Sequence, residues 1–353
     1  MNSGGSGIDL ARSYWFDIVG PLLDRAMPEM PRAAARVGSG SDVLGLDDEM
    51  SRDHDWGLRL QLFVPEPSRT RVAEVLLAQL PDDYLDHPTR LTFSGQSEPV
   101  LALDVLSVHR FAQSTLGFNP LQGTTVPDWL SLSGQAVLEI TGGEVFEDTS
   151  GELSSLRNFL TWYPDDLWRY LIACDWQRID QELPLMQRAG QRGDDLGSRV
   201  IAARLVDVGM HLGFLLNRRW APYSKWRGTL FDELPFASTI GPSLDAVMTA
   251  GDWQSRGRHF AAALEVLANQ QDDCGLPTAA PACVPFWDRP FVCVNPTMVP
   301  NLLGSVRDPS VRRLAPGLGS AEQRSDNVDL LVNAEARRYV VGIQPGGCSL
   351  SRS

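Results

Sequence analysis

Asp53 and Asp55 stand two residues apart, just ahead of an apolar run from Leu58 to Val64. If that run is a strand that reaches back to them, side chains alternate faces and both carboxylates point the same way. Two hard oxygen ligands on one face make a Mg²⁺ site that still needs phosphate oxygens to complete its octahedron. About a dozen residues earlier, Gly40-Ser41 forms a turn whose backbone N–H groups and hydroxyl suit a phosphate. A third carboxylate, Asp104, is the single charge between Val100 and Val108. Burying it unpaired would be costly, and metal coordination is one of the few ways to justify it; an exposed edge or an arginine partner is the plain alternative. A solvated acidic turn is the plain alternative for Asp53 and Asp55. The Gly-Ser turn and Asp104 together favour a metal-dependent nucleotide site.

Of 31 basic residues one is lysine, Lys225, and the rest are arginine. A compact ammonium and a planar guanidinium are not interchangeable at a phosphate, so a lone lysine in an arginine-biased chain is a candidate phosphate contact. It lies in the densest basic patch, Arg218 to Arg227, interleaved with Trp220 and Trp226. Arg218 and Arg219 also suit a helix C-terminus, where cations complement the dipole. The histidines show no metal-ligand spacing. His54 is expected to face away from the two aspartates, and His211 to make a surface or core hydrogen bond. Glu139, Glu144, Glu147 and Asp148 offer carboxylates for a general base, with no spacing that selects among them.

The elements that must hold these residues can be read coarsely. Residues 8 to 27 carry apolar side chains at helical spacing, with a bend expected at Pro21. Ala33 to Val37 is expected to be a strand delivering the Gly38–Ser41 turn, followed by a strand at Leu58 to Val64. Ser68 to Leu80 reads as a helix capped by Ser68. Further strands are expected at 91–93 and 100–108, and a short helix at 110–116. This alternation describes a small α/β domain. After breaks at Gly142-Gly143 and Asp148–Gly151 the pattern turns helical. Helices are expected from Pro164, from Asp194 to Leu216, and from 246 to 269. The domains are placed at 1–148 and 149–353.

At 353 residues, with 43% hydrophobic and 21% charged side chains, the chain has the composition of a globular protein. A net charge of −13 disfavours a broad nucleic-acid footprint, though not a local basic groove. No run approaches the length of a transmembrane helix, and the polar start is not expected to be a secretion signal. The five cysteines lack metal spacing and are read as reduced thiols, with the cytoplasm as the expected compartment.

The pattern Gly-Ser, then Ser51-Arg52-Asp53-His54-Asp55, then Asp104 resembles the nucleotidyltransferase superfamily that includes DNA polymerase beta and the aminoglycoside nucleotidyltransferases. Tyr163-Pro164-Asp165-Asp166 and Trp220-Ala221-Pro222-Tyr223-Ser224-Lys225-Trp226 look like its DUF4037 branch. The resemblance implies a mixed-sheet α/β nucleotidyltransferase domain followed by a mainly helical C-terminal domain. It implies one or two Mg²⁺ ions held by Asp53, Asp55 and Asp104, and a nucleoside triphosphate bound by Gly40 and Ser41. Lys225 would contact the triphosphate, as a lysine or serine of the helical domain does in the resembling proteins. The expected reaction transfers a nucleoside monophosphate to a hydroxyl or amine of a small molecule. A tRNA end or a protein side chain is the alternative acceptor, and a non-catalytic nucleotide-binding regulator the alternative class. The intact carboxylate set argues against the regulator.

Overall fold

The computed structural model describes residues 6–50, 57–91 and 100–343. The chain divides into two compact units, Met1–Thr124 with Ala136–Thr161, and Thr125–Gln135 with Trp162–Ser353.

The first unit opens with helices α1 (Gly7–Tyr14) and α2 (Gly20–Ala26), joined by a π-helical turn at Trp15–Val19. Pro21 sits in the first turn of α2, where its missing N–H costs nothing. A four-stranded sheet follows, built from β1 (Ala33–Arg36) and β2 (Gln61–Phe63). Helix α3 (Arg69–Gln79) leads to the small pairs β3 (Asp83–Tyr84) with β4 (His87–Pro88) and β5 (Arg90–Leu91) with β6 (Val100–Leu101). The sheet is completed by β7 (Asp104–Leu106) and, beyond helix α4 (Val108–Leu116), by β8 (Glu144–Asp148). Its order is β7-β2-β1-β8, with β2 and β7 parallel and the other pairs antiparallel.

One face of this mixed sheet presents Ala34, Leu60, Leu62, Val64 and Leu103 to Tyr14, Trp15, Val19, Leu22 and Leu23, and to Val72 and Leu76 of α3. Period-2 alternation then sends Ala33, Ala35, Gln61, Phe63, Asp104 and Leu106 to the other face. On that face Gln61 lies opposite Asp104, and Phe63 opposite Leu106. The core therefore fixes which side chains the sheet offers for chemistry.

The second unit is helical. Helices α5 (Val126–Leu130), α6 (Gly134–Thr141, assigned from Ala136 on to the first unit) and α7 (Glu152–Phe159, in the first unit) precede α8 (Asp165–Gln191) and α9 (Asp195–Leu216). Trp168 Nε1 donates to the Leu215 carbonyl at 2.7 Å, tying α8 to α9. Next come α10 (Ser224–Phe231), α11 (Ala237–Thr249) and α12 (Trp253–Asp273), where Trp176 Nε1 of α8 donates to Gln271 Oε1 at 2.7 Å. A hairpin of β9 (Cys283–Pro285) and β10 (Val292–Val294), then short helices, complete the chain. Among the described residues no helix is long and apolar enough to cross a membrane.

Candidate functional site

The strand Ala33–Arg36 ends on a fully buried guanidinium, and that charge shapes everything after it. Arg36 forms a forked ion pair with Asp42, Nε to Oδ2 and Nη2 to Oδ1, both at 2.7 Å. Two more of its hydrogens go to the carbonyls of Val37 (2.6 Å) and Ser39 (2.8 Å). Burial pulls the guanidinium's pKa down despite Asp42, so Asp42 is what keeps a charge there tolerable. The segment Gly38–Asp42 is thereby wrapped around one side chain.

Glycine is required at two points of this turn. Gly38 and Gly40 sit at φ +88° and +136°, conformations that L side chains rarely adopt. A Cβ on Gly40 would lie 2.3 Å from both Arg36 Nη2 and Asp42 Oδ1. Gly38 N–H is used by the Glu139 carbonyl (2.6 Å), and Leu44 and Leu46 donate to the Ser41 carbonyl. Among the described residues, the N–H groups of Gly40 and Ser41 donate to no protein acceptor. Two adjacent unspent donors in a glycine-opened turn form a concavity suited to an oxyanion.

Asp104 is exposed at the start of edge strand β7. The cost of burying it therefore does not arise. Its Oδ2 accepts a hydrogen bond from Gln61 Nε2 at 3.1 Å, and Gln61 Oε1 accepts from Val37 N–H at 3.0 Å. One buried amide thus joins the residue entering the Gly-Ser turn to the carboxylate of Asp104. Among the described residues Asp104 has no cation bonded to it. A hard carboxylate, exposed and held by a neutral amide, is the donor chemistry Mg²⁺ takes. Asp53, Asp55 and His54 lie outside the described residues. Without the two aspartates, no group of three or more His, Cys, Asp or Glu among the described residues could hold a metal ion.

The competing carboxylates are occupied. Glu144 is gripped by Arg12, which holds its carboxyl below the usual range, and Glu147 by Arg32. Asp148 accepts from Ser150, Gly151 and Ser154. Sequence reasoning missed Gln61, Arg36 and Asp42. The available signal was an arginine closing an alanine strand, with an aspartate six residues later.

In the helical unit, Arg218 pairs with Asp165 and lies over Trp168, Arg219 pairs with Glu233, and Arg227 with Asp207. Lys225, exposed in the first turn of α10, lies 4.6 Å from the Trp226 ring, with no carboxylate bonded to it among the described residues. His211 is a core residue. Its Nδ1 is 2.6 Å from Asp175 Oδ2 and its Nε2 3.4 Å from Glu322 Oε1. Burial pulls the imidazole's pKa down, but the two carboxylates outweigh that and hold it up at about 10.

The motifs around Tyr163 and Trp220 meet one another. The two rings are 4.4 Å apart, Trp162 is 4.9 Å from Trp220, and Asp165 holds Arg218. Asp166 accepts the N–H groups of Arg307 and Asp308. These residues build the helical unit.

Residues 129–227 match the family profile of DUF4037, a domain of unknown function. The resemblance carried by Tyr163–Asp166 and Trp220–Trp226 holds over that stretch, which excludes the Gly-Ser turn and Asp104. No curated protein matches the chain. Among solved structures, it is similar to a nucleotidyltransferase-like protein from Exiguobacterium sibiricum 255-15, at 12% identity over 76% of each chain, with a TM-score of 0.34.

Proposed function

We propose that the chain is a nucleotidyltransferase that moves a nucleoside monophosphate from a nucleoside triphosphate to a hydroxyl or amine of a small molecule, releasing pyrophosphate. The observation that carries this reading is the Gln61 bridge, which ties the turn bearing the unspent Gly40 and Ser41 donors to Asp104. Those donors bind phosphate oxygens and fix the triphosphate. Asp104, with Asp53 and Asp55, holds one or two Mg²⁺ ions. Mg²⁺, when bound, supplies the positive charge that polarises the phosphoryl group and offsets the departing pyrophosphate. Asp104 also accepts the acceptor's proton, for which a carboxylate must be ionised and close. Gln61 keeps its carboxylate oriented. Catalysis is then mainly positioning and electrostatics.

Lys225 is proposed as a phosphate contact, since the arginines around it are already paired with carboxylates. Lys225→Ala is expected to raise the KM for the triphosphate, and to lower kcat if the contact strengthens as pyrophosphate departs. Lys225→Arg should rescue only in part, because a fork does not replace a point charge. Full activity in the arginine variant removes Lys225 from the site.

The same pairing favours a small acceptor over RNA. An RNA footprint of six or more phosphate contacts would make activity fall by orders of magnitude between about 50 and 200 mM salt. The test is incubation with each α-labelled triphosphate, Mg²⁺ and RNA-free cell extract across that salt range. Label is expected on small molecules, with a shallow salt dependence. A requirement for added RNA with a steep slope overturns the acceptor class.

A further inference from the structure

The apolar alternation of β2 runs further back along the chain than the strand itself. Leu58, Leu60, Leu62 and Val64 are all buried in one core, and the Asp104 N–H donates to the Leu60 carbonyl at 2.9 Å. Period 2 therefore sends Arg59 to the same face as Gln61 and Phe63. Arg59 stands two residues before Gln61, which lies opposite Asp104. Along that face Arg59 comes first, and Gln61 with Asp104 beside it follows about 7 Å further on.

The Arg59 guanidinium reaches the Gly-Ser turn, where its Nη2 donates to Ser39 Oγ at 3.3 Å. Ser39 is exposed and Arg59 half-buried, so this contact is on the open side of the turn. The turn thus meets two guanidiniums in different roles. Arg36 is fully buried, bound to Asp42 and to the carbonyls of Val37 and Ser39, and the chain is wound around it. Arg59 lies on the outside. Burial is the main cause of Arg36's lowered pKa, and the nearby positive charge of Arg59 adds to it. Two like charges at one turn repel, and an anion placed against the outer one offsets that cost.

The unspent N–H groups of Gly40 and Ser41 are neutral donors, whereas a guanidinium is a charged fork that matches two phosphate oxygens at once. A triphosphate reacting beside Asp104 carries its β- and γ-phosphates to one side of the reacting phosphorus. On the side of the Gly-Ser turn, the sheet supplies Arg59.

We infer that Arg59 is a further contact to the nucleotide, its guanidinium gripping the β,γ end of the triphosphate, so that the site selects triphosphates over monophosphates. The inference rests on the nucleotidyltransferase reading.

The experiment is calorimetric titration of ATP and of AMP, each with Mg²⁺, into the full chain of the wild type, Arg59→Gln, Arg59→Lys and Ser39→Ala. The wild type is expected to bind ATP more tightly than AMP. Arg59→Gln is expected to bind ATP at least about tenfold more weakly, the scale of losing a hydrogen bond from a charged group, with AMP binding unchanged. Arg59→Lys keeps the charge without the fork and should fall between the two. Ser39→Ala removes the 3.3 Å bond but keeps the guanidinium, so it should bind ATP like the wild type. The inference is overturned if either Arg59 variant binds ATP as tightly as the wild type, or if ATP and AMP are weakened alike. It is also overturned if Ser39→Ala loses as much as Arg59→Gln, since the arginine would then only brace the turn. A wild type that binds no ATP would instead remove the nucleotide reading, and this inference with it.

Discussion

Asp104→Asn is expected to slow nucleotidyl transfer at least about a hundredfold, the scale of losing a central electrostatic contact, while the unfolding midpoint stays near that of the wild type. The structural half of this expectation follows from position. Asp104 is exposed at the beginning of an edge strand, and among the described residues its one side-chain bond is the 3.1 Å contact from Gln61. Asparagine is nearly isosteric, and its carbonyl oxygen still accepts that bond. What disappears is the negative charge, needed both to hold Mg²⁺ and to take a proton. Asp53→Asn and Asp55→Asn are expected to behave alike in activity. Initial rates alongside a denaturation curve separate the two effects, and near-normal transfer by Asp104→Asn removes this residue from the chemistry.

The second large effect is on stability. Asp42→Ala is expected to destabilise the first unit by about 3–5 kcal/mol, the cost of leaving a buried charge without its partner. Arg36 is fully buried and Asp42 nearly so, and the forked pair supplies two of the four hydrogen bonds that Arg36 makes among the described residues. Asp42→Asn should cost less, since an amide oxygen can still accept one of those bonds. The Gly38–Asp42 turn is wound around this guanidinium, so nucleotide affinity should fall with stability in the alanine variant. Scanning calorimetry of the full chain measures the first effect and ATP titration the second. An unchanged unfolding profile for Asp42→Ala would mean that the pair contributes little to folding.

The sequence told most where a residue type has few structural uses. A glycine-serine turn after an alanine-rich strand is such a place, and the structure puts glycines at positive φ there. The mixed α/β character and the helical run beyond it followed from hydrophobic period. Details set by neighbours were not legible. Ser68 does stand at the N-cap position of α3, but its side chain makes no capping bond, because Glu66–Ser68 is already a 3₁₀ turn and Ser68 enters the helix in αR geometry. Pro164 precedes α8 in extended geometry and does not occupy its first turn. The stretch read as one helix from 246 to 269 is two, since Ala250 turns extended and Asp252 caps α12 through the Ser255 N–H. The strand expected at 100–108 is broken into β6 and β7, and β8 was not read at all. Its Glu-Val-Phe-Glu-Asp sequence alternates, but its acidic residues conceal it until Arg12 and Arg32 are seen to pair with them.

The site shows the same division. Gly40, Ser41 and Asp104 could be singled out by type and spacing, whereas Gln61 could not. A glutamine in an apolar strand carries no signal until the sheet register places it opposite Asp104, with Val37 on its other side. The Tyr163 and Trp220 motifs were legible as a family resemblance, and the structure gives them a packing role.

The most direct measurement of the central claim is pyrophosphate release from nucleoside triphosphates in RNA-free extract, followed with Mg²⁺, with Mn²⁺, with Ca²⁺ and with EDTA, for the wild type and Asp104→Asn. Release is expected with Mg²⁺ or Mn²⁺, to be weaker with Ca²⁺, whose size and irregular coordination fit an octahedral site poorly, and to vanish with EDTA. It should also fall at least about a hundredfold in Asp104→Asn at saturating Mg²⁺. Pyrophosphate release that persists in EDTA, or that proceeds equally well without the Asp104 carboxylate, would contradict the account.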